Sequence, residues 1–126
     1  MMHFRTDRQR VQGLGTSHTG VHHWWSQRLT AVGMLILVPL FLFPFVRALG
    51  TDFETVREVY GHPFNAIVAT LTLAVGFLHL KQGLQVVIED YVHDKPMRTG
   101  MLVANVVFCA AFAFTGIFAV AKIAFA

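Results

Sequence analysis

Of the seven histidines in this chain, only His79 falls deep inside an apolar run, in TLAVGFLHLKQGLQVVIEDY. An ionisable side chain at that depth must face protein or a cofactor rather than lipid, which makes it a functional candidate. Two uses suit it: a hydrogen bond to a neighbouring helix, or axial ligation of a haem iron. Gly83 follows four residues later on the same helix face, where the missing side chain would give a flat macrocycle room beside the imidazole. Close packing of small residues is the other use of such a glycine. Asp90 lies eleven residues beyond His79, with Tyr91 next to it. Three helical turns separate His79 from Asp90, a rise of about 16 Å, so the two share a face and join a mid-membrane position to the membrane surface. A carboxylate beside a phenol can deliver protons or hydrogen bonds to a quinone carbonyl; it equally suits a solvated helix end with an interfacial tyrosine.

No second histidine reaches the depth of His79, so a second imidazole ligand must come from another subunit. Met34 is an internal alternative for the sixth position, or a core-filling side chain. The single Cys109 sits in an apolar run, without a CxxC pair or a CxxCH sequence, so any haem is held non-covalently. Arg28 follows the aromatic pair Trp24 and Trp25. It can snorkel to lipid phosphate, pair with a haem propionate or shape a quinone pocket, with His22 and His23 nearby to assist. Lys81 points about 200° around the helix from His79 and receives no role.

The elements that must hold these residues follow from composition. In 126 residues, 55% are hydrophobic and 13% charged, with a mean hydropathy of +0.56. Ten Lys/Arg and seven Asp/Glu are too few to coat a soluble domain. The pI near 9.5 does not signal nucleic acid, because the aromatics lie in membrane-like runs rather than among the basic residues. Three apolar stretches, about 28–49, 65–91 and 100–122, are long enough to cross a bilayer. Residues 1–20, with Arg5, Arg8 and Arg10, form a polar arm without a signal-peptide pattern. Pro39 and Pro44 predict a kink or break in the first crossing. Thr51 and Glu54 have capping-box spacing for a short interfacial helix whose apolar face carries Phe53, Val56, Val59 and Tyr60. Pro96 is expected to stop the second crossing. The third, rich in Ala, Val and Phe with Gly116, carries almost no chemistry. The expected fold is therefore all-α: one integral-membrane domain over 1–126, with three transmembrane helices, a polar N-terminal arm and a short interfacial helix between the first two.

Charge sets the expected orientation. Arg5, Arg8, Arg10 and Arg28 precede the first crossing, and Lys95 and Arg98 separate the second from the third. Only Arg47, Arg57 and Lys122 lie on the other side, which puts the N-terminus in the cytoplasm and the C-terminus outside. Glu89, Asp90 and Tyr91 then lie at the cytoplasmic surface.

With HHWWSQRLTAVG at the first crossing and HLKQGLQVVIEDYVHD in the second, the chain resembles the small hydrophobic membrane-anchor subunit of succinate dehydrogenase, respiratory complex II, in its alphaproteobacterial and mitochondrial-like form. The resemblance spans about residues 13–122. It implies that His79 is one axial ligand of haem b, the other coming from a companion cytochrome b subunit. It implies that Asp90 and Tyr91 belong to the ubiquinone site, with Tyr91 bonding a quinone carbonyl. Arg28 matches an arginine near the haem propionates and quinone pocket, and His22 a histidine near the propionates. A flavoprotein subunit with FAD would oxidise succinate in the tricarboxylic acid cycle, an iron–sulfur subunit would carry the electrons, and this chain would help anchor both to the bacterial inner membrane. An anchor of a quinol:fumarate reductase fits the same residues, and a non-redox membrane scaffold is the alternative from a different class.

Overall fold

A computed structural model describes residue 4, residues 6–15 and residues 20–126. Within these the chain forms five helices: α1 (Asp7–Gln12), α2 (Gly20–Ala48), α3 (Phe53–Gly61), α4 (Pro63–Tyr91) and α5 (Lys95–Ala124). Three of them, α2, α4 and α5, are long and apolar enough to cross a membrane. The all-α, three-span architecture is as expected. Arg5, counted above in the cytoplasmic charge, lies outside the described residues. The arm holds one feature not anticipated. Thr6 and Gln9 form a reciprocal capping box that starts α1.

Several boundaries differ from expectation, each for a local reason. The helix containing the first crossing begins at Gly20, well before Arg28, because a helix need not start where hydrocarbon begins. Pro39 and Pro44 do not break it; α2 is helical throughout Gly20–Ala48, with Pro44 buried. Gly50, at φ 78°, ends the helix in a left-handed turn. Thr51 does not cap α3, because its hydroxyl is spent on the Ala48 carbonyl at 2.7 Å. The cap is Asp52, whose carboxylate accepts from the Thr55 backbone N–H at 3.0 Å. Hydrogen bonds from the Thr55 side chain and backbone hold the Asp52 carboxyl below its ordinary pKa. Pro96 does not stop the second crossing either. It sits in the first turn of α5, where a missing N–H costs nothing, behind an Asp94 cap that accepts from Met97 N–H at 2.9 Å.

The spanning helices form a layer with α4 in the middle. Both α2 and α5 pack on α4, but no Cα of α2 comes within 8 Å of α5. On the α2 side, an added Cβ at Gly33 would meet Val75, and one at Gly76 would meet Met34 Cε at 3.5 Å and Sδ at 3.6 Å. Met34 thus fills the groove over Gly76, one turn before His79. On the α5 side, Phe77 stacks on Phe112 with ring centroids 6.3 Å apart. Asn105 donates to the Lys81 carbonyl at 2.9 Å and accepts from Cys109 Sγ at 3.4 Å. The third crossing therefore carries a buried polar pin that composition did not reveal. At the far end, α3 covers the helices with a cluster of Ala48, Tyr60 and Ala69, packed on by Phe41, Val56, Val59, Val120 and Ile123. Burial raises the Tyr60 phenol pKa. Asn65 donates to the Val59 carbonyl at 2.8 Å, and Arg57 donates to Ala126.

The closest glycine approach is at Gly116, where an added Cβ would stand 3.1 Å from Leu73 Cδ1 and 3.4 Å from Cδ2. A branched side chain there pushes α5 off α4. Gly116→Val is expected to lower unfolding stability by about 1–3 kcal/mol, seen as earlier thermal unfolding in detergent, whereas Gly100→Ala, with nothing within 4 Å of its added Cβ, leaves the transition unchanged.

Candidate functional site

The antiparallel course of α2 and α4 sets Ser26 and Thr30 of the first beside Gln82 and His79 of the second. Polar side chains meet at this level and nowhere else between these two helices except at Thr72, among the described residues. Thr72 donates mainly to its own helix, to the Val68 carbonyl at 2.7 Å. Facing α4, Ser26 and Thr30 are four residues apart on one face of α2. Facing α2, His79 and Gln82 are three apart on α4. The Thr30 hydroxyl oxygen lies 3.0 Å from His79 Nδ1 and 3.2 Å from Gln82 Oε1. The amide of Gln82, only 5% exposed, donates to Ser26 Oγ at 2.6 Å. Thr30 also back-bonds its own helix, at 3.1 Å from the Ser26 carbonyl and 3.0 Å from that of Gln27.

His79 is half-buried, with Nδ1 engaged by α2. Its other nitrogen, Nε2, is the one open to a further partner. Gly83 lies one turn on, and the nearest atom to an added Cβ there is Gln27 Nε2 at 4.0 Å, so the face beside the imidazole is loosely occupied. Among the described residues no three metal-binding side chains cluster.

The other predicted residues gather at the same end of the helices without bonding to one another. Arg28 is exposed and lies over the Trp24 ring, 5.2 Å from its centroid, while Trp24 meets Trp25 edge to face at 5.1 Å. His22 is exposed and lines an open groove of about 550 Å³ with Val21, Trp25, Ser26, Leu29 and Thr30. The inward member of the histidine pair is His23, whose Nε2 is buried with no hydrogen-bond partner among the described residues. Asp90 and Tyr91 are exposed in the last turn of α4, Tyr91 by 79%. Gln85 donates to Glu89 at 2.9 Å on the same turns. Sequence reasoning singled out neither Thr30 nor Gln82. Their signal was present as polar side chains at positions i and i+3 or i+4 next to His79 and Ser26, within otherwise apolar runs.

The model of a family described as succinate dehydrogenase/fumarate reductase transmembrane subunit matches residues 2–118. This chain belongs to that family. The chain is similar to the succinate dehydrogenase hydrophobic membrane anchor subunit of Paracoccus denitrificans, 31% identical over 121 residues, 96% of this chain and 93% of the relative. The subunit of the same name from Rickettsia bellii is 31% identical over 102 residues, 80% and 81% of the two chains. The succinate dehydrogenase membrane anchor subunit of Reclinomonas americana is 28% identical over 85 residues, 64% and 69%. No solved structure matches the chain. The matched residues run from before α2 into α5 and so include the polar level between α2 and α4.

Proposed function

We propose that the chain is the hydrophobic membrane anchor of a succinate:ubiquinone oxidoreductase in a bacterial inner membrane. In this reading His79 supplies one axial ligand of a haem b, and Asp90 and Tyr91 form part of the ubiquinone reduction site. The observation that carries it is the state of His79: an intramembrane imidazole with Nδ1 tied to Thr30 and Nε2 left over beside a glycine. A histidine serving only to bridge helices has no need of the loosely occupied face at Gly83. The relatives' shared name supports the enzyme class.

The residues divide the work by depth. His79 and a companion cytochrome b subunit would hold a haem b between them, and that group would supply one-electron transfer within the membrane. His79 would hold its side of that group through Nε2, with Gly83 leaving room for the ring. Arg28 and one of His22 and His23 suit anionic propionates near the membrane surface; the buried, unpartnered Nε2 of His23 makes it the better donor of the two. Twelve residues past His79, about 18 Å along α4, the Tyr91 hydroxyl can donate to a quinone carbonyl, and the Asp90 carboxylate beside it can pass protons in from the water phase. Ubiquinone reduction takes two electrons and two protons, so a proton-carrying pair belongs at the aqueous rim. Succinate oxidation would lie with a flavoprotein subunit holding FAD, joined through an iron–sulfur subunit, both docked on the cytoplasmic side.

Three outcomes are expected. His79→Ala strips haem b from the purified complex, and an undiminished haem spectrum in that variant would remove the ligand assignment. Tyr91→Phe lowers succinate:ubiquinone activity by about 100-fold while succinate oxidation by an artificial acceptor stays normal; full quinone turnover would sink the site. Reporter fusions place the N-terminus in the cytoplasm and the C-terminus in the periplasm, as three spans and the flanking Lys/Arg require, and a cytoplasmic C-terminal reporter would overturn that topology.

A further inference from the structure

We infer that Thr30 is a positioning residue for His79: its hydroxyl accepts the Nδ1 proton of the imidazole and thereby leaves Nε2 as the unprotonated nitrogen. The inference rests on the reading of His79 as a haem ligand, but its geometry does not. Hydrogen positions follow from what each neighbour can do. Apart from His79, the polar atoms around the Thr30 oxygen are the Ser26 carbonyl at 3.1 Å, the Gln27 carbonyl at 3.0 Å and Gln82 Oε1 at 3.2 Å. All three are acceptors, and a hydroxyl has one proton to give. That proton goes to a helix carbonyl, the usual back-bond of a threonine within a helix, and the oxygen is then left to accept at the fourth contact, from His79 Nδ1 at 3.0 Å. His79 is therefore the Nδ1–H tautomer.

The network beyond Thr30 holds this direction. Gln82 donates its amide nitrogen to Ser26 Oγ at 2.6 Å and turns its oxygen toward Thr30 at 3.2 Å. The amide and hydroxyls bridge α2 and α4 and hold the imidazole on the α2 side through Nδ1. Donation from Nδ1–H also makes Nε2 more basic, which favours the ferric over the ferrous state of an iron bound there.

The test uses the assembled complex carrying Thr30→Val, Thr30→Ala, Thr30→Ser, Gln82→Leu or His79→Ala, read by optical and EPR spectra of the ferric haem and by redox titration. Loss of the hydroxyl in the Val and Ala variants raises the haem midpoint potential, moves the EPR g values and weakens haem retention by about 10-fold or more. Ser restores all three readings. Gln82→Leu leaves both helix carbonyls to take the hydroxyl proton, and so keeps the original potential and g values. Unchanged potential and g values in both the Val and Ala variants overturn the inference. So does a Ser variant displaced as far as Val, or a Gln82→Leu shift equal to that of Thr30→Val, since either would mean that packing rather than the hydroxyl sets the ligand. If haem survives His79→Ala with its spectrum intact, the ligand reading falls; if haem is lost there while the Val and Ala variants stay normal, only the role of Thr30 falls.

Discussion

A polar group inside hydrocarbon has no water to turn to, and that constraint organises the contact between α2 and α4. Ser26, Thr30, His79 and Gln82 answer it together, each side chain bonding to one on the facing helix. Individual bonds of this kind average only about 0.6 kcal/mol in membrane proteins, so bulk stability is not their main effect. Their effect is register. Sliding α2 along α4 by one turn in one direction would set His79 opposite Met34, and the cost of the unsatisfied nitrogen disfavours that alignment. Gly33 against Val75 and Met34 against Gly76 extend the same alignment toward the other membrane face.

With α4 in the middle, its two sides take on different tasks. The α2 side carries the ionisable group and the hydrogen-bond network. The α5 side is built for close approach, with Gly116 against Leu73 and Phe77 against Phe112, and its one polar pin, Asn105, reaches only a backbone carbonyl. Because α2 and α5 do not meet, the layer leaves wide apolar surfaces uncovered, Leu35, Phe43, Phe114 and Phe118 among them. Such surfaces suit lipid and neighbouring membrane helices equally. The α3 helix closes only the end opposite His79, where Tyr60 and Ala48 are buried. At the other end Arg28, Asp90 and Tyr91 are exposed.

Much of this was legible in the residues. Runs of about twenty apolar positions have few alternatives to spanning helices, since only internal hydrogen bonding satisfies a backbone in lipid. A lone histidine in such a run stands out for the same energetic reason, and the Asp-Tyr pair is tied to it by helical rise alone. Local punctuation was less legible. Thr51 and Asp52 are both good caps, and the choice turned on the Ala48 carbonyl, which claimed the threonine hydroxyl. Pro96 was read as a stop because proline breaks helices, whereas the Asp94 cap placed it in a first turn, where proline is at home.

By itself the sequence determined the number of crossings, the depth of His79 and the distance from it to Asp90, because each depends only on hydropathy and the geometry of one helix. Only the tertiary structure decided which nitrogen of His79 is engaged, that His23 rather than His22 turns inward, and that Thr30 and Gln82 belong to the site. Those facts depend on the rotation of α2 against α4. An isolated helix has no preferred rotation, and this one is set by hydrogen bonds between residues 49 to 56 positions apart.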